Sequence, residues 1–217
     1  MNNLNTRQIH SHSLEKPNEF WLQASQNIQW YKAPSKAVNN DNESKYTAKW
    51  FAGAELNTCY NALDYHVESG YGDQTAIIYE SPVTHHTQKI SYKELLTEVA
   101  TFAGALSSKG LSKGDTVVIY MPMIPQATVA MLACARLGII HSVVFGGFAS
   151  NELAVRIDDA KPQAIITASC GVETSRIIDY KSLLNHALLL ANHEPQFQVV
   201  YQRPQQLAQL NHKGDID

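Results

Sequence analysis

The chain has 217 residues, of which 44% are hydrophobic and 17% charged, and its formal net charge is −3. The apolar content suffices for the core of one large domain, and without a basic excess the chain has little electrostatic means of binding nucleic acid. Its longest apolar stretch is broken by Pro122, Pro125 and Arg136, which argues against a membrane span. The first twenty residues are polar and unlike a secretory signal. We therefore expect a cytoplasmic protein.

The cysteines and histidines give no sign of a metal or redox site. The three cysteines are Cys59, Cys134 and Cys170. They are odd in number, far apart and set among apolar or small neighbours, so we predict reduced structural thiols. The histidines have no partners at metal-binding spacing. We expect no metal site in this chain.

The first part of the chain is predicted to cover another layer, without a core of its own. Residues 1–15 are polar and predicted to be disordered, and residues 21–28 carry apolar side chains at helical spacing. Residues 34–47 are polar turn formers, which predicts an exposed connector. A helix capped at residue 57 or 58 is expected to run to about residue 68.

The pattern changes after residue 73. Residues 76–79 form an apolar run with a predicted partner strand at 88–90. Ser91 and Glu94 have the spacing of a capping box, in which each side chain accepts a backbone N–H of the other residue. We therefore predict a helix from residue 92 to residue 109, with apolar side chains on one face.

The centre of the chain reads as a strand, a helix and a second strand. Residues 116–120 and 139–145 are apolar throughout, and the helix formers of residues 127–137 lie between them, ending at Gly138. Two buried strands joined by a helix imply a parallel sheet that is covered on both faces.

Shorter elements follow the central unit. They are a helix at 150–160, a strand at 164–167, a loop at 170–175, a helix at 180–190 and a strand at 197–201. Ser150 is expected to cap the first of these helices. Within that helix, Arg156 is expected to form ion pairs with Asp158 and Asp159 on an exposed face.

The alternation of strands and helices predicts the fold class. We expect an α/β fold with a doubly wound, mostly parallel sheet and flanking helices over residues 73–217. A helical and irregular covering segment, residues 1–72, precedes it.

Two short segments could contact a ligand. Gly146 and Gly147 follow a buried strand and open a helix, where a ligand can approach the backbone and the positive end of the helix dipole. Glycines that only permit a tight turn would fit the same pattern. Arg176, at the end of the segment 171–176, could bind a phosphate, although it could equally be a solvated surface side chain. In parallel α/β sheets ligands lie at the carboxyl ends of the strands. No G-x-G-x-x-G or G-x-x-x-x-G-K-[ST] loop is present, so no nucleotide motif supports the site.

The residues also carry a resemblance to a known family. The run from Val117 to Arg176 reads VVIYMPMIPQATVAMLACARLGIIHSVVFGGFASNELAVRIDDAKPQAIITASCGVETSR. It resembles AMP-forming acyl-CoA synthetases of the acetate and propionate branch. The upstream WFAGAELNTCYNALDYH is similar to the N-terminal segment of that branch, commonly W-F-x-G-G-x-L-N, with Ala54 in place of the second glycine. The resemblance extends from about residue 20 to about residue 187. It implies that residues 1–72 are an acetyl-CoA-synthetase-type N-terminal segment and that residues 73–217 are the first, incomplete part of an adenylate-forming domain.

The resemblance implies a two-step ligase. A small carboxylate and Mg-ATP would give an acyl-adenylate and pyrophosphate, and the thiol of CoA would then displace AMP. Gly146 and Gly147 match glycines that line the channel for the pantetheine arm of CoA. A second segment aligns with the family's contact to the nucleotide end of CoA, and it consists of Glu173, Thr174, Ser175 and Arg176.

Glu173 departs from the acetate enzymes, which tend to read R-A-G-R in this segment. Propionate-type members are similar to E-P-G-R, so the resemblance favours propionate, with acetate as the alternative. A carboxylate at position 173 would by itself repel phosphate.

The sequence contains no segment of the form T-S-G-T-T-G-K-P-K-G, which is the family's ATP phosphate loop, and no catalytic lysine of the C-terminal domain. The sites for ATP and Mg²⁺ are accordingly expected in the full-length enzyme, and no catalytic residue in this chain. We therefore predict an N-terminal piece of a longer ligase, inactive alone and able to self-associate through exposed sheet edges. Two alternatives of other classes remain, namely a non-catalytic CoA- or nucleotide-binding module and a structural α/β domain.

Overall fold

The computed structural model describes residues 5–39 and 48–217. The chain divides into two compact units, one ending at Asn57 and the other beginning at Thr58. The elements of the first unit are helices α1 (Thr6–Glu15) and α2 (Pro17–Ala24) and the antiparallel strands β1 (Val38–Asn39) and β2 (Lys49–Trp50).

The prediction of disorder over residues 1–15 is wrong for α1. The side chain of Asn5 accepts the N–H of Gln8 at 3.0 Å, and the side chain of Gln8 accepts the N–H of Asn5 at 2.9 Å. This reciprocal cap satisfies two amides that a helix start leaves unpaired. The sequence therefore contains the start signal of a polar helix.

The predicted connector over residues 34–47 is only partly described, since residues 40–47 lie outside the described ranges. Before that gap Ser35 and Lys36 are exposed as predicted, but Ala37 and Val38 are buried, so the prediction of exposure is wrong for these two. The side chain of Asn18 accepts the N–H groups of both residues, at 3.0 and 2.9 Å.

The second unit begins with helical turns over residues 58–71, in agreement with the helix predicted there. Its first half then consists of β3 (Thr75–Ser81), β4 (His86–Ser91), α3 (Tyr92–Ser108), β5 (Thr116–Met121), α4 (Pro125–Leu137) and β6 (Ile140–Phe145). Its second half consists of α5 (Ser150–Ala160), β7 (Ala164–Ala168), β8 (Cys170–Val172), β9 (Ile177–Asp179), α6 (Tyr180–Leu190), β10 (Phe197–Tyr201) and β11 (Asp215–Ile216).

A five-stranded sheet in the order β11-β10-β7-β5-β6 organises this unit, and every neighbouring pair in it is parallel. Side chains of β5 alternate between the faces. Val117 and Ile119 join a core with α3 and α4, whereas Val118 and Tyr120 join a second core with α5 and α6. The predicted doubly wound α/β fold is confirmed.

Local predictions within this unit had mixed outcomes. Gly138 ends α4 in the left-handed conformation, with φ 72°, as predicted. The loop predicted at 170–175 is wrong for Cys170–Val172, which form β8, whereas residues 173–175 lie in the turn that leads to the antiparallel partner β9. The short edge strand β11 lies in a stretch for which no strand or helix was predicted.

The helical turns at 58–71 are joined to α4 by an ion pair. Nη1 and Nη2 of Arg136 contact Oδ2 and Oδ1 of Asp64 at 2.8 and 2.9 Å. Cys59 lies beside Arg136, and burial raises the pKa of its thiol.

All three cysteines are buried and free. Burial raises the pKa of Cys134 to about 12, so this thiol stays protonated and poorly reactive. Over residues 5–39 and 48–217, we find no group of three or more histidine, cysteine, aspartate or glutamate side chains that could hold a metal ion. In the same ranges, none of the helices combines the length and the apolar character that crossing a bilayer requires.

Candidate functional site

Two clefts lie beside the β8–β9 hairpin, at the carboxyl ends of β5 and β6. The first, here called the arginine cleft, has a volume of about 570 Å³ and lies between residues 146–150 and the segment from residue 173 to α6. The second, the tyrosine cleft, has about 410 Å³ and lies among the ends of β5 and β6, the β8–β9 hairpin and the first residue of α6. The two clefts share four lining residues: Gly146, Gly147, Glu173 and Ile178. The arrangement therefore forms two adjoining clefts where parallel α/β folds hold their ligands.

The glycine turn, residues 146–148, is held by the neighbouring strand. The N–H of Phe148 donates to the carbonyl of Phe145 at 3.0 Å. The hydroxyl of Tyr120, a buried residue of β5, donates to the carbonyl of Phe148 at 2.8 Å. Burial and the nearby Tyr180 raise the pKa of Tyr120, so it remains a neutral donor. The turn is thus fixed to the sheet.

The two glycines of this turn are required to different degrees. A Cβ on Gly146 would overlap the hydroxyl of Tyr180 and lie 3.1 Å from the carbonyl oxygen of Met121. A Cβ on Gly147 would come within 2.5 Å of the ring of Phe145, but that ring is 70% exposed and can turn away. Space therefore requires glycine at position 146, whereas Gly147 borders both clefts without supporting a neighbour.

The hairpin tip, residues 173–176, connects β8 to β9. The N–H of Glu173 donates to the carbonyl of Arg176 at 2.9 Å and closes the turn. Glu173 and Arg176 line the arginine cleft together with Gly146 and Gly147, whereas Thr174 and Ser175 are exposed and do not line it. Four of the six residues singled out from the sequence thus surround one cleft, and two lie outside its lining.

Glu173 forms an ion pair with Arg176, in addition to the repulsion that its carboxylate alone would exert on a phosphate. Its Oε2 contacts Nε of Arg176 at 2.9 Å, with the two side chains 49% and 69% exposed. An exposed pair of this kind adds little to stability. It does hold the guanidinium at the mouth of the cleft and offsets the negative charge of Glu173.

Ser150 does not cap α5, contrary to the prediction. Ala149 occupies the capping position, and its side chain offers no hydrogen bond. The hydroxyl of Ser150 instead donates to the carbonyl of Leu183 in α6 at 2.9 Å. Because Ala149 and Ser150 both line the arginine cleft, the positive end of the α5 dipole adjoins it.

The ion pairs predicted for Arg156 are wrong as well. Its guanidinium lies over the ring of Phe148, 5.9 Å from the ring centroid. Asp158 instead accepts the backbone N–H groups of Asn192 and His193, at 2.7 and 2.9 Å, and these bonds lower the pKa of its carboxyl. Arg156 therefore supports the glycine turn from outside, and Asp158 ties the end of α6 to α5.

Sequence reasoning missed Tyr180, the first residue of α6. Its ring is 5% exposed and lies against both Gly146 and Gly171, where a Cβ would overlap it. It also meets the ring of Tyr120 edge-on, with centroids 4.9 Å apart. Only the close approach of β6, β8 and α6 brings these residues together, so no local signal marks the tyrosine.

The fold is an α/β domain with two adjoining clefts at the carboxyl ends of parallel strands. A family model described as AMP-binding enzyme matches residues 65–215, and one described as acetyl-coenzyme A synthetase N-terminus matches residues 6–62. The chain belongs to the AMP-binding enzyme family, and the resemblance drawn from the sequence is confirmed.

Relatives of this chain include three curated proteins. It is 52% identical to acyl-CoA synthetase short-chain family member 3, mitochondrial, of Rattus norvegicus over 88% of this chain and 28% of the relative. It is 48% identical to acyl-CoA synthetase short-chain family member B, mitochondrial, of Dictyostelium discoideum over 92% of this chain and 29% of the relative. It is 43% identical to acetyl-coenzyme A synthetase of Desulfatibacillum aliphaticivorans over 84% of this chain and 28% of the relative. The chain therefore spans less than a third of the length of these relatives.

Proposed function

We propose that this chain is the N-terminal portion of a short-chain acyl-CoA ligase and contributes the groove for CoA. In the parent reaction a carboxylate oxygen attacks ATP and releases pyrophosphate, and the CoA thiol then attacks the acyl-adenylate carbonyl and releases AMP. The observation that carries the proposal is the junction of the two clefts at Gly146, Gly147 and Glu173. A long ligand can cross this junction from one cleft into the other.

The two clefts suit the two ends of CoA. Arg176 and the start of α5 give the arginine cleft positive groups for the phosphates of the nucleotide end. The tyrosine cleft is walled largely by apolar residues, among them Met121, Val144 and Val172, which suit the aliphatic parts of the pantetheine arm. Gly147 leaves the passage between them without a side chain.

We propose propionate as the acid in preference to acetate. The support is the similarity of the hairpin tip, with Glu173 first and Arg176 last, to the propionate-type pattern. ATP and Mg²⁺ belong to the proposal for the parent enzyme. The cytoplasmic location remains a prediction, since the rat and Dictyostelium relatives carry the word mitochondrial in their names.

Titration calorimetry on the 217-residue chain tests the CoA groove. The probes are CoA, pantetheine, which lacks the phosphates, and 3′,5′-ADP, which lacks the arm. We expect saturable binding of CoA, and we expect Arg176→Ala to weaken CoA and 3′,5′-ADP by about 10-fold while leaving pantetheine unchanged. Absence of saturation with CoA would contradict the proposal and favour a structural domain.

The same preparation should show no ATP–pyrophosphate exchange, because its sequence contains no Gly/Thr-rich phosphate loop. Measurable exchange would refute the assignment of ATP chemistry to other parts of the parent enzyme. CoA binding without exchange would also fit a non-catalytic binding module. Reading the coding sequence downstream of Asp217 distinguishes that module from a portion of a ligase. A Gly/Thr-rich loop in that stretch identifies the ligase.

A further inference from the structure

Tyr180 is closely packed between two glycines and a second tyrosine. Gly146 and Gly171 lie against its hydroxyl and its ring edge, and at either position a Cβ would overlap the tyrosine. The ring of Tyr120 meets it edge-on, with an interplanar angle of 84°. The phenol oxygen therefore has a fixed position below the glycine turn.

The hydroxyl of Tyr180 has no hydrogen-bond partner among the residues that the structure describes, although the residue lines the tyrosine cleft. Its neighbour Tyr120 differs, since the Tyr120 hydroxyl donates to the carbonyl of Phe148 at 2.8 Å. The Tyr180 oxygen is not among the fully buried side-chain atoms that lack a partner, so it faces the open cleft. A confined donor that faces an apolar cleft is available to a polar group of a ligand, and tyrosine hydroxyls at such sites usually form a hydrogen bond.

We infer that the Tyr180 hydroxyl positions the pantetheine arm of CoA by a hydrogen bond to one of its amide groups. The inference rests on the proposed function, and it assigns the polar contact of the tyrosine cleft to a residue that the family resemblance did not indicate. The arm carries two amides separated by short aliphatic segments, so a single donor among apolar walls fixes its register along the cleft. Burial, with a smaller contribution from Glu173, raises the pKa of Tyr180 and keeps it protonated at neutral pH.

Tyr180→Phe tests this role, because the substitution keeps the ring between the two glycines and removes only the oxygen. Calorimetry should show the affinities for CoA and pantetheine falling about 5- to 10-fold, since one neutral hydrogen bond is lost. The affinity for 3′,5′-ADP should not change. Tyr65→Phe is the matched control, as Tyr65 lines neither cleft.

The outcomes separate the two proposals. If the unaltered chain binds neither CoA nor pantetheine, the proposed function fails and this inference fails with it. If the unaltered chain binds them and Tyr180→Phe binds them equally well, only the inference is overturned. An equal loss for 3′,5′-ADP, or a lowered unfolding temperature of Tyr180→Phe, would show that the hydroxyl acts through the fold, and this too overturns the inference.

Discussion

Gly146 and Gly147 are neighbours in the chain, but a side chain added at each would contact different groups. The first faces the hydroxyl of the buried Tyr180 and the backbone of Met121, the last residue of β5. The second faces only the exposed ring of Phe145. A pair that reads as one motif in the sequence thus divides into a packing position and a lining position.

We expect Gly146→Ala to lower the free energy of unfolding by about 1–3 kcal/mol, the usual cost of forcing a methyl group into a filled space. Gly147→Ala, the matched variant, should change it by less than about 0.5 kcal/mol, as exposed substitutions usually do. Urea unfolding followed by circular dichroism measures both. Equal destabilisation by the two variants would show that the turn, and not Tyr180, imposes the requirement.

At the level of single residues, the family pattern marked Gly146, Gly147, Glu173 and Arg176, and these four residues line the arginine cleft. It did not reveal Tyr180, whose neighbours lie more than eight positions away in the chain or on other elements. The contact between Glu173 and Arg176 also needed the hairpin to be known. Residue type and spacing predict chemistry, but not which side chains meet across loops.

Among the elements, α3 has the start that its sequence predicts. The hydroxyl of Ser91 accepts the N–H of Glu94 at 3.2 Å, and the Glu94 carboxylate accepts the N–H of Ser91 at 2.8 Å. The same carboxylate accepts the hydroxyl of Ser91 at 2.7 Å. The bond from the Ser91 backbone, and to a smaller extent the one from its hydroxyl, lowers the pKa of Glu94 from its ordinary value of 4.5.

Because the pKa of Glu94 is lower in the folded state than in the unfolded state, its contribution to stability is present above 4.5 and is lost as the pH falls through the lowered value. Ser91→Ala should cost about 1 kcal/mol at neutral pH. Urea titrations between pH 7 and pH 2 should show this difference shrinking in acid. Glu94→Gln, which has no carboxyl to titrate, should lack that pH dependence, and an identical profile for all three proteins would contradict the assignment.

The elements that sequence reasoning missed share a physical cause. Strands β8, β9 and β11 have two or three residues each, which is too short for an alternating pattern to emerge. Helix α1 is polar, and only its capping residues mark it. The strands and helices of the central unit lie where they were predicted, and burial dictates the composition of β5. The prediction that the second strand is buried is wrong, because β6 lies at the edge of the sheet and only its residue Val144 is buried.

For the whole molecule, the free edge of β6 is the feature with consequences for assembly. β6 is an edge strand of the five-stranded sheet, and its residues Ile140, Val143 and Phe145 are 60%, 55% and 70% exposed. Exposed apolar side chains beside an unpaired strand edge favour association with another strand.

We therefore predict that the 217-residue chain self-associates as its concentration rises, as measured by sedimentation velocity. Val143→Lys should shift the equilibrium toward the monomer, because a charge on an edge strand opposes pairing. Val155→Lys is the control, since Val155 is 60% exposed but lies on α5, away from the strand edge. A monomer at all concentrations, or equal effects of the two variants, would contradict this prediction.

In the hairpin tip, the backbone closes the turn and the side chains face the arginine cleft or solvent. Its closing bond joins backbone atoms of Glu173 and Arg176, and its two middle residues, Thr174 and Ser175, are exposed. Because that closing bond joins backbone atoms, the four side chains of the tip can change without removing it. The charge and size of the groups at the mouth of the arginine cleft can therefore vary while the hairpin itself is retained.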